Sequence, residues 1–316
     1  MQYEDESARM NDQPGSAAAR SDVHGTALDT ARSRAADYVE LTKPRVNVLV
    51  VATTLLGYYM GATPEGTLGL LLNTVIGTTL VASGASAFNQ LMERDLDALM
   101  RRTRNRPLPT GRLGPRPALA FAIVLSLAGV VQLAIGANLL AAAVAAVTLL
   151  TYTLAYTPLK TRSSLSTVVG SIPGALPPMI GWAAARNSLS IEAWILFAIV
   201  FLWQMPHFLA IAWMYREDYK RAGFPMLPII EPDGASTGRQ ALVYAAALVP
   251  VSLAPTAIGL TGGLYMAGAA VAGLVFVALA GRFAMERTAP VARRLFFCSI
   301  AYLPLLWGLM VIGRVR

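Results

Sequence analysis

Long apolar runs recur along most of this chain, and no other feature constrains its fold as tightly. A run of about 20 apolar residues, coiled into a helix, matches the hydrocarbon core of a bilayer. Nine such runs are legible: Tyr38–Met60, Thr67–Leu91, Arg116–Ile135, Asn138–Tyr156, Thr167–Ala185, Ile191–Trp213, Arg239–Leu260, Gly263–Ala280 and Ala292–Ile312. None alternates polar with apolar residues, which excludes a membrane β-barrel. Charged residues make up 14% of the chain, against about a quarter in soluble domains. The sequence therefore predicts an all-α membrane protein of nine transmembrane helices.

Residues 1–36 read differently. They are rich in Ser, Ala, Asp and Arg and hold almost no large apolar side chain. That composition predicts a disordered tail, with the transmembrane domain over residues 37–316. Glu4, Asp5 and Glu6 argue against a mitochondrial transit peptide, which is poor in acids. No secretory signal is visible. A bacterial plasma (inner) membrane is the expected location.

The basic residues set an orientation. With the N-terminus inside, the inner segments are the tail and the connections after spans two, four, six and eight. Of the 26 Lys and Arg, only Arg186, Arg314 and Arg316 fall outside those segments. Such a bias predicts an N-in, C-out topology. It also accounts for the net charge of +8 without nucleic acid as a partner. The connection after span two is still unusual, because its basic residues outnumber what topology needs.

That connection begins "FNQLMERDLDALMRRTRNRPLPTG", Phe88 to Gly111. Asn89, Glu93 and Asp97 are spaced i, i+4, i+8. On an α-helix such residues drift only about 40° per step and share one face. Asp95 falls on the opposite side. Two carboxylates and an amide oxygen suit a hard cation such as Mg²⁺, which takes one or two carboxylates together with phosphate oxygens. The plainer reading is a solvated helix end whose acids balance nearby arginines.

A second polar patch is "WQMPHFLAIAWMYREDYKRAGFP", Trp203 to Pro225. His207 and Asp218 are eleven residues apart, close to three full turns, so one continuous helix would put them on one face. The other histidine, His24, lies in the tail. An ionisable residue inside a span points to function; the alternative is a packing histidine bonded to a carbonyl. Pro206 is expected to kink its helix. Span five is expected to be broken, since Pro173, Pro177 and Pro178 are interleaved with Gly170, Gly174 and Gly181. Irregular backbone within a bilayer lines a cavity or is buried in protein. Lys160 and Arg162 open that span. Acids for Mg²⁺ and cations for phosphate thus meet at one membrane face above apolar spans, which suits a diphosphate with a hydrocarbon tail.

These residues resemble the UbiA-type intramembrane prenyltransferases, and within them the branch that farnesylates protohaem IX. Asn89, Glu93 and Asp97 match the first motif of that superfamily. "ERDLDALMRRTRNRPL", "LTKPRV", "YTPLK", "GALPPMIGW", "WQMPHF" and "REDYKRAGFPML" match the haem branch. The likeness runs from about residue 38 to 310. Glu93 departs from the superfamily, standing where an Asp is usual, and Met214 stands at an acid position of quinone-type relatives. His207 replaces an Asp of those relatives, which favours the haem branch.

The resemblance implies a bundle around a lipophilic cavity with its active site at the cytoplasmic side. It implies transfer of a farnesyl group from farnesyl diphosphate to a vinyl group of haem B, with water added, giving haem O. The implied cofactor is Mg²⁺, held by Asn89, Glu93, Asp97 and Asp218. Arg106, Lys160, Lys220, Arg45 and Arg101 would contact diphosphate. His207 would face the haem as an iron ligand or an orienting group. A haem A synthase is an implied partner, beside the lipid bilayer. The lone Cys298, in an apolar span, reads as inert core. Other classes remain open from the residues alone: a prenyltransferase of an aromatic quinone precursor, a secondary transporter, or a haem carrier without catalysis.

Overall fold

The computed structural model describes residues 34–64 and 66–315. The expected tail lies outside them, except that residues 34–36 already belong to a helix over 34–41. Nine long helices follow among the described residues. They are α1 (Pro44–Gly61), α2 (Leu68–Met92), α3 (Pro115–Gly136), α4 (Leu139–Leu159), α5 (Ser166–Arg186), α6 (Ile191–Met214), α7 (Ala235–Ala257), α8 (Gly263–Glu286) and α9 (Ala289–Ile312). Eight of them are long and apolar enough to cross a membrane. The exception is α1, which has 18 residues. The expected first span, Tyr38–Met60, is two elements. Pro44 opens α1, as proline does where its missing N–H is not needed, and the chain before it turns sharply at Lys43.

That turn is strained. Lys43 has φ 49° and ψ 60°, in the left-handed region. A β-carbon is crowded there, and a following proline further restricts the residue before it. Non-glycine residues held this way cost about 1–3 kcal/mol.

The irregularity expected in span five is present. Span five is split at Leu176 into Ser166–Ala175 and Pro177–Arg186. Its second half packs against α1 at backbone contact. A β-carbon on Gly181 would lie 2.0 Å from the Thr54 carbonyl oxygen, and one on Gly57 would lie 1.9 Å from that of Pro178. Within α4, residues Thr151–Tyr156 form a wide π turn, a feature the sequence did not announce. Pro206 sits inside α6 without ending it.

Packing pairs α2 with α3, α1 with α5, α6 with α7 and α9, and α8 with both α7 and α9. The largest buried cluster runs through all nine long helices, with Trp182, Trp203, Phe276 and Leu306 among its members. The described chain enters and leaves at opposite ends of the bundle. Lys43, before α1, reaches the end of α2. Arg314, after α9, donates to the carbonyls of Tyr59 and Ala62 at the far end of α1, each at 2.7 Å.

Candidate active site

The acid row forms where α2 ends. Regular helix stops at Met92, and Glu93 turns slightly out of it with φ −95° and ψ 6°. The register nonetheless carries through. The Glu93 N–H donates to the Asn89 carbonyl at 3.0 Å and the Asp97 N–H to the Glu93 carbonyl at 2.7 Å. Asn89, Glu93 and Asp97 are all buried, with Asp97 only 1% exposed. Asp95 points away, 83% exposed, and pairs with Arg94. The four-residue spacing thus makes one buried face.

Each member of the row meets a different cation from a different part of the chain. Lys43 Nζ donates to Asn89 Oδ1 at 2.5 Å. Lys160 Nζ donates to both Glu93 carboxylate oxygens at 3.0 Å. Arg106 donates to Asp97 Oδ2 at 2.7 Å. Asn89 is oriented from its other side, since its Nδ2 donates to Thr157 Oγ1 at 3.4 Å. Thr157 in turn donates to the Tyr152 carbonyl across the π turn at 2.8 Å. The wide turn of α4 thereby fixes which way Asn89 presents its oxygen.

The electrostatics of the two lysines differ. Burial, reinforced by Arg106, lowers Lys43 to about 7. Burial works most strongly against Lys160 as well, but the Glu93 carboxylate together with Tyr219 and Tyr152 outweighs it and holds that ammonium above its usual range. Lys160 also lies 4.7 Å from the centre of the Phe224 ring. Phe224 belongs to a small core with Met100, Tyr219, Ala222 and Met226. The connections after α2 and after α6 therefore meet over the row. Arg102 joins them a second time, with its guanidinium 5.3 Å from the Tyr215 ring and 5.9 Å from the Tyr219 ring.

Several expected residues stand apart. Asp218 lies on a short helix, Arg216–Arg221, and pairs with Arg221. It does not join Glu93 and Asp97, for among the described residues no three His, Cys, Asp or Glu side chains form a metal cluster. The turn-counting that placed His207 and Asp218 on one face fails because α6 ends at Met214, with Tyr215 at φ −108° and ψ 21°. Arg45, Arg101 and Lys220 are exposed. His207 is half-buried between the rings of Trp203 and Phe296, at 5.2 and 5.1 Å. Its Nδ1 lies 2.7 Å from Ser299 Oγ on α9. Lys43 is the participant that sequence reasoning left without a role, although it sits in "LTKPRV".

The donor set fits a divalent cation. Two carboxylates and an amide oxygen share one buried face, and Asp97 Oδ1 is buried without a hydrogen-bond partner. A buried carboxylate oxygen left that way is costly, and a hard cation would satisfy it.

A model of the UbiA prenyltransferase family matches residues 50–301. The chain is a member of the UbiA prenyltransferase family. It is 51% identical over 288 residues to the protoheme IX farnesyltransferase of Solibacter usitatus (strain Ellin6076), covering 88% of this chain and 98% of that one. It is 41% identical to the protoheme IX farnesyltransferase of Koribacter versatilis (strain Ellin345), covering 88% and 93%. Among solved structures, a digeranylgeranylglyceryl phosphate synthase superposes with a TM-score of 0.76 at 18% identity, covering 89% of this chain and 98% of that one. A UbiA homologue from Archaeoglobus fulgidus bound to DMAPP and Mg²⁺ superposes with a TM-score of 0.67 at 15% identity, covering 87% and 99%. These distant likenesses establish the shared UbiA fold. The chain is a multi-pass membrane prenyltransferase.

Proposed function

We propose that this UbiA-family enzyme transfers the farnesyl group of farnesyl diphosphate to a vinyl group of haem B, with addition of water, giving haem O. One observation carries the chemistry. A buried row of two acids and an amide meets three cations at one end of an apolar bundle. The haem acceptor is supported by the near full-length similarity to the farnesyltransferases named above.

Asn89, Glu93, Asp97 and Asp218 would hold Mg²⁺, directly or through water. The ion would supply positive charge to a leaving diphosphate. Lys43, Lys160 and Arg106 then turn from the acid row to the phosphate oxygens. Arg45, Arg101 and Lys220 line the approach. The C1–O bond breaks and its electron pair leaves with the diphosphate, where these cations stabilise the growing charge. The vinyl π electrons form the new bond to C1. Water adds to the resulting cation beside the porphyrin ring and loses a proton. The apolar walls keep water from the farnesyl cation until that bond has formed.

We place the acid row at the cytoplasmic face of a bacterial inner membrane, with the N-terminus inside and the C-terminus outside. The support is the crowding of basic residues into connections at that end. A haem A synthase would take the product onward.

The test uses the purified full chain in lipid nanodiscs with haem B, farnesyl diphosphate and Mg²⁺, read by mass spectrometry. A product of haem B plus one farnesyl and one hydroxyl is expected, and chelation should stop it. Prenylation of 4-hydroxybenzoate with haem B untouched would replace this reading with the quinone one.

Two variants sharpen it. Both Glu93 oxygens contact Lys160, so charge matters more here than arm length. Glu93→Asp should keep turnover within roughly tenfold of wild type, whereas Glu93→Gln should lose roughly a hundredfold or more. Equal rates for the two would show that the charge is irrelevant. For His207, Ser299 engages Nδ1, so any bond to iron falls to Nε2. His207→Ala should shift the Soret band and weaken haem binding, while farnesyl diphosphate affinity stays unchanged. An unmoved Soret band with reduced turnover would leave it an orienting role, and no change in either would make it a packing residue.

A further inference from the structure

Beside Asn89 sits a residue with no part in this chemistry. Gln90 is buried, and its Nε2 donates to the main-chain carbonyls of Glu40 at 3.2 Å and Leu41 at 3.0 Å. The next carbonyl, that of Thr42, accepts from Asn47 Nδ2 at 2.7 Å. Asn47 is tied back to α2 through Ser83 Oγ at 3.0 Å. Three successive carbonyls at the end of the 34–41 helix are thus taken by side-chain amides. The residue that follows is Lys43, in its strained left-handed conformation.

The strain has a direction. It turns the Lys43 side chain back onto α2, where Nζ reaches Asn89. One turn of α2 therefore holds both sides of the bend. Gln90 grips the backbone before Lys43, and Asn89 receives its ammonium. Arg112 adds a tether to the 34–41 helix, to Asp37 at 3.0 Å and Glu40 at 3.2 Å.

Gln90 is also a poor choice for stability alone. Its Oε1 is buried without a partner, and an orphaned acceptor opposes folding. An apolar side chain of the same length would avoid that penalty but would release the two carbonyls.

We propose that Gln90 and Asn47 are positioning residues that hold the 40–43 bend in its strained form, so that Lys43 reaches the diphosphate. This rests on the prenyl diphosphate reading of the site. Lys43 touches the substrate, and the two amides act through it.

The test is a double-mutant cycle on the full chain in nanodiscs with Gln90→Met, Lys43→Met and the pair together. The readouts are kcat, KM for each substrate, affinity for inorganic diphosphate and the unfolding temperature. Gln90→Met should raise KM for farnesyl diphosphate roughly tenfold, the size expected when one charged contact is lost. KM for haem B and the unfolding temperature should hold. The double variant should be no worse than Lys43→Met alone, because Gln90 has nothing left to position. Losses that multiply, or an unfolding temperature that falls in step with activity, would overturn the proposal and make Gln90 a structural residue. Wild-type kinetics for Gln90→Met would overturn it as well. Gln90→Asn, which keeps the amide but draws it back by one methylene, is the gentler second variant, and Asn47→Leu repeats the cycle from the other amide. If the wild type does not consume farnesyl diphosphate, the functional reading fails instead; if it does and the cycle is additive, the positioning role alone fails.

Discussion

Asp97→Asn should give a folded protein that accumulates in membranes and turns over farnesyl diphosphate about 10²–10³-fold more slowly, as when one preorganised charge is removed from a transition state. The substitution keeps the volume, and an amide oxygen can still accept from Arg106, so packing is spared. What is lost is the negative charge of a side chain that is almost wholly buried and carries one unpartnered oxygen. Breaking the diphosphate bond depends on that charge more than substrate binding does, so kcat should fall and KM should change little. Single-turnover measurements across a Mg²⁺ titration decide it. Wild-type-like turnover at low Mg²⁺ would remove Asp97 from the metal site.

The second large effect is on assembly. Gly181→Ala puts a methyl group where the Thr54 carbonyl oxygen already stands, 2.0 Å away, and 2.6 Å from the Tyr58 nitrogen. Both neighbours are backbone and cannot rotate aside, so α1 and α5 must separate. Overpacking of a tight core costs about 1–3 kcal/mol or more, and here it falls on the helix least able to hold itself in lipid. The folded yield in detergent should collapse for Gly181→Ala and for Gly57→Ala. Gly308→Ala, with open space around its β-carbon, should behave as wild type. Equal yields for the three would refute the close contact as a stabilising feature.

The spans were legible because hydropathy and length are what a bilayer reads, and eight of them agree with long apolar helices. The failure was at α1. The expected span runs across Glu40, Lys43 and Arg45, and a proline in such a stretch can start a helix as well as interrupt one. The acid row was legible because four-residue spacing survives a small distortion at Glu93. Lys43 was not, since its direction depends on a left-handed backbone angle that propensity does not favour in lysine. The shared face expected of His207 and Asp218 was lost for the converse reason: α6 ends at Met214, with no proline or glycine there to mark the end. Lys160 and Arg106 were found as cations, but their partners required the fold. The π turn that orients Asn89 through Thr157 left no mark that periodicity could show.

The Arg314 contact bears on synthesis. Its guanidinium bonds the carbonyl ends of α1 across a separation of 255 residues. At about 5–20 residues per second, the ribosome delivers that arginine roughly 10–50 s after α1 has been made. Throughout that interval the one long helix that falls short of a membrane-spanning apolar run lacks that arginine at its end, and its tight partner, α5, itself arrives late. A ribosome stalled before α9 would leave a nascent chain with an unfastened first helix, the state in which membrane quality control would find it.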